Sequence, residues 1–227
     1  MPLNISAGNM YPFITATWNP IRGTCSHNCS YCYMKKPIFN LKNIRIEQKE
    51  FKTNLKSDGF IFIGSSCDIF AEDIPLEWII GTFDYCKKFD NRYLFQTKNP
   101  ERLYKLRHYL PPNSVVGTTI ETNRTYPEMG NTPLPQNRAK YMALLSSTHP
   151  TMITIEPICD NDVDYLVNLI SHCEPEWVNI GADSQGHNLT EPSEEKIIEL
   201  IGRLEKFTEV KLKQNLKRLL LLEDYWK

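Results

Sequence analysis

Short apolar runs alternate with longer amphipathic stretches along most of this chain. The runs at 13–18, 60–64, 93–97, 115–120, 152–155 and 177–181 are rich in Phe, Ile, Val and Tyr. All but the first are nearly continuous in apolar or small residues, as parallel strands covered on both faces are. The first carries alternating Thr and reads as a more polar strand. Between the runs, 44–56, 75–89, 100–109, 137–147, 162–172 and 193–207 have helical spacing. Two of these stretches open on Pro75 and Pro100, a good first helical residue. Another opens with Ser193-Glu194-Glu195-Lys196, early negative charge that suits a helix N-terminus.

Such alternation predicts a parallel sheet with right-handed crossovers. Six units fall short of the eight in a complete barrel of about 250 residues. The pattern therefore predicts an α/β fold, a partial (βα)6 barrel with parallel strands, with 210–213 as an extra edge strand. A flat doubly wound sheet is the alternative. Both place ligands at the carboxyl ends of the strands. The segment 123–136, with three prolines and Gly130, is the one loop-like stretch; it reads as a lid or substrate loop, or as a plain connection.

At 227 residues the chain suits one domain, 1–227, with one sizeable core. No apolar run approaches the ~20 residues of a membrane span, so no membrane association is expected. Seven cysteines without a recognisable export signal fit a reducing cytoplasm. A net charge of −1 gives no global argument for nucleic acid, but basic residues cluster in two places. Lys35, Lys36, Lys42, Arg45, Lys49, Lys52 and Lys56 form one cluster, and Lys211, Lys213, Lys217 and Arg218 the other. Either could meet phosphates, and a solvated helix face explains them as well.

The sharpest chemical signal is Cys25-Ser26-His27-Asn28-Cys29-Ser30-Tyr31-Cys32, a CxxxCxxC run directly after the first strand. Short cysteine runs hold iron–sulfur clusters. Three thiolates on a four-iron cube leave one iron open to a substrate or cofactor. A zinc site would need His27 or a remote cysteine as fourth ligand; disulfides, or unrelated buried cysteines, are further alternatives. Cys86, Cys159 and Cys173 read as small core residues, and the remaining histidines as surface residues without ligand spacing.

Polar residues gather at the other strand ends: Ser65, Ser66, Cys67 and Asp68; Gln96, Thr97 and Lys98; Thr119 and Glu121; Glu156; and Asp183. Carboxylates at four ends, with Lys98, suggest a common site. An Asp68–Lys98 salt bridge closing the barrel end is the bland explanation.

With these residues in view, the chain resembles the radical SAM superfamily, in particular a phage-associated branch, and more distantly the spore photoproduct lyases. The landmarks are the cysteine triad, Thr17-Trp18-Asn19-Pro20, Phe62-Ile63-Gly64-Ser65, Gln96-Thr97-Lys98, Ile155-Glu156-Pro157 and Lys213-Gln214. The resemblance implies a [4Fe–4S] cluster on Cys25, Cys29 and Cys32, with S-adenosyl-L-methionine chelating its open iron. Tyr31, Tyr33, Ser65, Ser66, Asp68, Lys98, Thr119 and Glu121 become candidate cofactor-binding residues. Ser66 and Asp68 would take its amino group, Lys98 its carboxylate and Glu121 its ribose. Tyr33, Cys67 and Glu156 are the candidate catalytic residues. The lyases use a catalytic cysteine where Ser65 stands here; Cys67 lies two positions on, the same face if the strand continues. The expected function is reductive cleavage of S-adenosylmethionine and hydrogen abstraction from a substrate, with a flavodoxin- or ferredoxin-type donor as partner. The substrate expected is a nucleic-acid base, in DNA repair or phage-type base modification. A peptide or small-molecule substrate, or a non-catalytic metal-dependent binding module, are the competing readings.

Overall fold

Ten strands and five α-helices form among residues 3–6 and 10–226, the part of the chain described in this computed structural model. The strands are β1 (Asn4–Ile5), β2 (Ala16–Trp18), β3 (Ile21–Arg22), β4 (Arg45–Ile46), β5 (Phe60–Ile63), β6 (Arg92–Gln96), β7 (Ser114–Thr119), β8 (Thr151–Ile155), β9 (Trp177–Ile180) and β10 (Glu209–Leu212). The helices are α1 (Leu76–Cys86), α2 (Pro100–Leu106), α3 (Pro135–Ser146), α4 (Val163–Ser171) and α5 (Glu194–Leu204). Their starts follow local chemistry. Asn99, Asp162 and Ser193 each accept a backbone N–H three residues on, satisfying an otherwise orphaned donor of the first turn.

The main sheet runs β1-β2-β5-β6-β7-β8-β9-β10, parallel throughout except for the short antiparallel β1. The expected edge strand is present: β10 pairs in parallel with β9. From β2 to β10 each new strand adds on the same side, with no reversal. Right-handed crossovers that never reverse direction put every helix on one face. The core agrees. Ile79, Phe83, Leu103, Met142, Leu166 and Leu200 of the helices pack on Ile61, Phe95, Val116, Ile153 and Val178. The sheet is thus singly wound, and the doubly wound alternative does not hold.

The other face carries Leu94, Val115, Met152 and Trp177, covered by Tyr11, Phe13 and Ile14. Phe13 lies 5.4 Å from Phe60 and 5.2 Å from Trp177 by ring centroids, so this segment bridges strands far apart in the sheet.

One expected helix, 44–56, is absent. Its first residues form β4, which pairs antiparallel with β3, and a 3-10 turn covers Gln48–Lys52. Glu50 explains the departure. It is buried, its carboxylate receives Arg22 at 2.9 Å, and its carbonyl receives the Trp18 indole at 3.3 Å. The apolar spacing of Phe51 and Leu55 serves packing against Trp18 without a helix.

Candidate functional site

A cavity of about 510 Å³ lies at the carboxyl ends of the strands. Its wall includes Cys25, Cys29, Cys32, Tyr31, Tyr33, Ser65, Ser66, Cys67, Asp68, Lys98, Thr119 and Glu156, so the structure brings nearly every residue singled out above to one place. Glu121 is the exception: it is wholly buried beneath the wall. A wider hollow of about 830 Å³ at the opposite end of the strands is lined by Asn91, Pro111, Pro112 and His149 among others, and holds none of the candidate residues.

The cysteine run forms a loop after β3. All seven cysteines are free thiols. Burial, then the charge of Asp68, pushes the Cys25 thiol up to about 12, and burial also raises Cys32. None of the residues of segment 123–136 lines the cavity. The segment braces the loop from behind instead. The Ser30 N–H donates to the Glu128 carbonyl at 2.8 Å, Asn131 N–H to the His27 carbonyl at 2.7 Å, and the Asn131 amide to the Ser26 carbonyl at 3.1 Å. Gly130 sits at φ +63°, and a Cβ there would fall 2.3 Å from the His27 carbonyl oxygen.

Among the described residues no three His, Cys, Asp or Glu side chains gather tightly enough to hold a single metal ion. A four-iron cube takes its thiolates on separate irons and has no need of such convergence. His27 does not converge with the cysteines in such a group, and its Nε2 lies 2.9 Å from Asp68 Oδ2. The donor set that remains is three thiols on a braced loop, and it fits a cluster. Beside it the Ser66 hydroxyl oxygen is buried with no partner in the protein, an orphan that a bound cofactor would satisfy.

The turn after β5 sets the serines. Asn19 Oδ1 accepts the Ser66 N–H at 2.9 Å and the Ser65 hydroxyl at 3.2 Å. The strand ends at Ile63, and the Cys67 N–H closes a turn onto the Gly64 carbonyl. Strand alternation therefore does not relate Cys67 to Ser65, although both line the cavity. Burial, then neighbouring Cys25, raises the Cys67 thiol. Tyr33 donates its hydroxyl to the Ser65 carbonyl at 2.8 Å, and burial pushes that phenol up to about 12.

Asp68 is fully engaged. Besides His27, its carboxylate accepts the Thr97 hydroxyl at 2.9 Å, Lys98 N–H at 2.8 Å and Phe70 N–H at 3.0 Å. It locks the cysteine loop to the ends of β5 and β6. Burial alone would raise its carboxyl, but the His27 contact and these donors hold it below the usual range. No Asp68–Lys98 side-chain salt bridge forms; the Lys98 ammonium turns to Glu121 Oε1 at 2.6 Å, Tyr31 OH at 2.8 Å and Cys29 Sγ at 3.7 Å. Glu121 also receives Arg138 at 2.8 Å and the Tyr31 hydroxyl. Burial opposes its charge, yet Arg138 and Lys98 hold its carboxyl far below the ordinary value.

A depressed carboxyl contributes stability that is present above its unfolded value, about 3.9 for Asp and 4.3 for Glu, and is lost as pH falls through the folded value. Stability should therefore hold from neutral pH to about 5 and decline below about 4. In Asp68→Asn the acid decline should be shallower, as read from denaturant unfolding at stepped pH. Equal slopes would count against this role for Asp68.

The far wall is a second polar set. Tyr11 donates its hydroxyl to Gln96 Oε1 at 3.0 Å and lies 2.9 Å from Thr154 Oγ1. Glu156 accepts Lys213 at 2.6 Å and the Asn215 amide at 2.8 Å, and Lys213 lies 4.9 Å above the Tyr11 ring. At the rim His187, read above as a surface residue, binds the Asp183 carboxylate at 2.7 Å. Sequence reading missed Asn19, Tyr11 and Arg138 as parts of the site. Arg138 had a usable signal: it shares the apolar stripe of α3 with Pro135, Ala139, Met142 and Leu145, where a solvated charge does not belong.

The architecture defines the class first: it is the α/β fold found in radical SAM enzymes. A spore photoproduct lyase variant aligns over 90% of this chain and 78% of its own, with TM-score 0.66 and 13% identity. The lyase complexed with dinucleoside spore photoproduct aligns over 92% and 78%, with TM-score 0.64 and 12% identity. SuiB from Streptococcus suis, bound to S-adenosylmethionine, aligns over 86% of this chain and 49% of its own, with TM-score 0.53 and 9% identity. At such identities the likeness is one of fold. No curated protein matches the sequence. By its match over residues 10–196, the chain belongs to DUF5131, a family described as proteins of unknown function.

Proposed function

We propose that this protein is a radical SAM enzyme acting on a nucleic-acid base, in DNA repair or phage-type base modification. The observation that carries the reading is the shared cavity: three thiols and the strand-end polar groups wall one space, with the Ser66 hydroxyl oxygen orphaned beside them. The singly wound sheet is read as the partial (βα)6 barrel of that class.

Cys25, Cys29 and Cys32 would hold a [4Fe–4S] cluster, and S-adenosylmethionine would lie against Tyr31, Tyr33, Ser65, Ser66 and Thr119. Together these groups supply reductive cleavage of S-adenosylmethionine and hydrogen-atom abstraction, with an external flavodoxin- or ferredoxin-type reductant. The protein's own part is placement. Asp68 fixes the loop through His27, Asn19 fixes the serine turn, and the Ser66 hydroxyl is the group left to bind. The Glu156–Lys213 pair on the far wall would orient substrate, and Cys67 lies within the same space as a hydrogen source. Glu121 supports the site from below, so a direct ribose contact is set aside. For the substrate, the rim leaves Lys36, Ile38, Phe39 and Lys42 exposed, a basic and apolar edge suited to phosphates and a stacked base. The spore photoproduct lyase fold neighbour bound to a dinucleoside supports the same class.

The test is anaerobic reconstitution with S-adenosylmethionine and dithionite, reading 5′-deoxyadenosine by mass spectrometry. About four irons and four sulfides per chain and a product lost in Cys25→Ala are expected. Zinc without sulfide, or undiminished product from Cys25→Ala, would sink the reading. Comparing DNA, peptide and small-molecule additions for increased yield tests the substrate class.

A further inference from the structure

Lys98 is the residue the resemblance would give to the carboxylate of S-adenosylmethionine. The geometry places it elsewhere. An ammonium has three N–H donors. Three acceptors surround this one: Glu121 Oε1 at 2.6 Å, Tyr31 OH at 2.8 Å and Cys29 Sγ at 3.7 Å. Tyr31 gives its own proton to Glu121, which leaves its oxygen free to accept from Lys98. The lysine is therefore saturated before any cofactor arrives.

The charge balance beneath the loop points the same way. Glu121 brings one negative charge, while Lys98 and Arg138 bring two positive ones. Glu121 and Arg138 are both 0% exposed at the side chain, and Lys98 is 17% exposed. One excess positive charge thus lies under Cys29, and a buried charge needs a counter-charge. Lys98 has the Cys29 sulfur as its third acceptor, and in the thiolate form that sulfur is an anion.

On the reading of this site as a cluster site, we infer that Lys98, clamped by Glu121 and Arg138, is a fixed cation hydrogen-bonded to the Cys29 thiolate, and that it sets the cluster's reduction potential rather than binding the cofactor's carboxylate. Reduction adds one electron to the cluster. A cation at a ligand sulfur stabilises the more negative, reduced form and raises the potential, as hydrogen bonds to sulfur and net charge do generally. Lys98 is a positioning and tuning residue, one step removed from the chemistry.

The experiment is an EPR-monitored redox titration of the reconstituted full chain, paired with equilibrium binding of S-adenosylmethionine. In Lys98→Met the ratio of reduced to oxidised cluster at the wild-type midpoint should fall about tenfold, which for one electron is 59 mV toward more negative potential. Lys98→Arg, which keeps the charge, should stay near wild type, and cofactor affinity in Lys98→Met should change less than about threefold, under 1 kcal/mol. Lys98→Met leaves Glu121 paired with Arg138, so the fold keeps its buried ion pair. Should it still fail to fold, Lys98→Gln repeats the test with an uncharged donor. An unmoved midpoint with cofactor binding lost would overturn the inference and return Lys98 to the carboxylate, with the enzyme reading intact. A wild-type chain that takes up no iron and sulfide would bring down both.

Discussion

Arg138→Met should lower the thermal midpoint more than any other single change at the site, on the order of 10 °C. Arg138 is 0% exposed and binds Glu121 at 2.8 Å, the Pro133 carbonyl at 2.9 Å and the Thr119 carbonyl at 2.5 Å. Removing one partner of a buried pair leaves an uncompensated charge and costs about 3–5 kcal/mol. Lys98 would remain beside Glu121, which keeps the loss toward the lower end. Arg138→Lys should recover little, because an ammonium cannot span two carbonyls and a carboxylate in the plane of a guanidinium. The control is Arg203→Ala, whose pairs with Asp164 and Glu199 are exposed and should matter by less than about 1 kcal/mol. Calorimetry giving equal midpoints for Arg138→Met and Arg203→Ala would show that the buried pair contributes little.

The second large effect is expected from Gly130→Ala, and it should appear in metal uptake more than in melting. A φ of +63° with ψ −133° lies in a region kept almost entirely to glycine and strains a side-chain-bearing residue by about 1–3 kcal/mol. Here the added Cβ would also meet the His27 carbonyl at 2.3 Å and Asn28 backbone atoms at 2.8 Å. Those atoms belong to the cysteine loop itself, so relief requires the loop to move off its brace. The core beneath is untouched. Iron and sulfide per chain should fall severalfold while the thermal midpoint shifts by a few degrees. Gly202→Ala in α5, where an added Cβ meets nothing within 4 Å, should load normally and gain about 0.5–1 kcal/mol from helix propensity. Full loading of Gly130→Ala would mean that the loop does not depend on its brace.

These two residues also show what the sequence made legible. Strands that are buried on both faces announce themselves as continuous apolar runs, so β7, β8 and β9 could be read directly and β5 and β6 nearly so, whereas the part-exposed β10, with Glu209 and Lys211, was legible only as an edge strand. The cysteine triad and the polar strand ends were visible because residue type and position in a βα unit together restrict their placement. Partnerships were not visible. Asp68 and Lys98 looked like a pair, yet the lysine side chain reaches Glu121, and Asp68 takes His27 instead. Backbone geometry settles that choice, and no spacing rule encodes it. The stretch 44–56 misled because Phe51 and Leu55 satisfy helical periodicity while Glu50 draws the chain into a buried turn. Likewise 123–136 has the composition of a free loop, but its Glu128 carbonyl and Asn131 N–H bond the cysteine loop, and backbone bonding leaves almost no mark on composition.

The Tyr11–Phe13 segment joins the beginning of the chain to its far end. Tyr11 meets Thr154 across 143 positions, and Phe13 meets Trp177. During synthesis the cysteine loop therefore leaves the ribosome well before its brace, its lysine and the far wall exist. Until Lys213 has emerged, the thiols face solvent with no chamber around them. A nascent chain stalled before β8 would therefore present three unprotected thiols to oxidants.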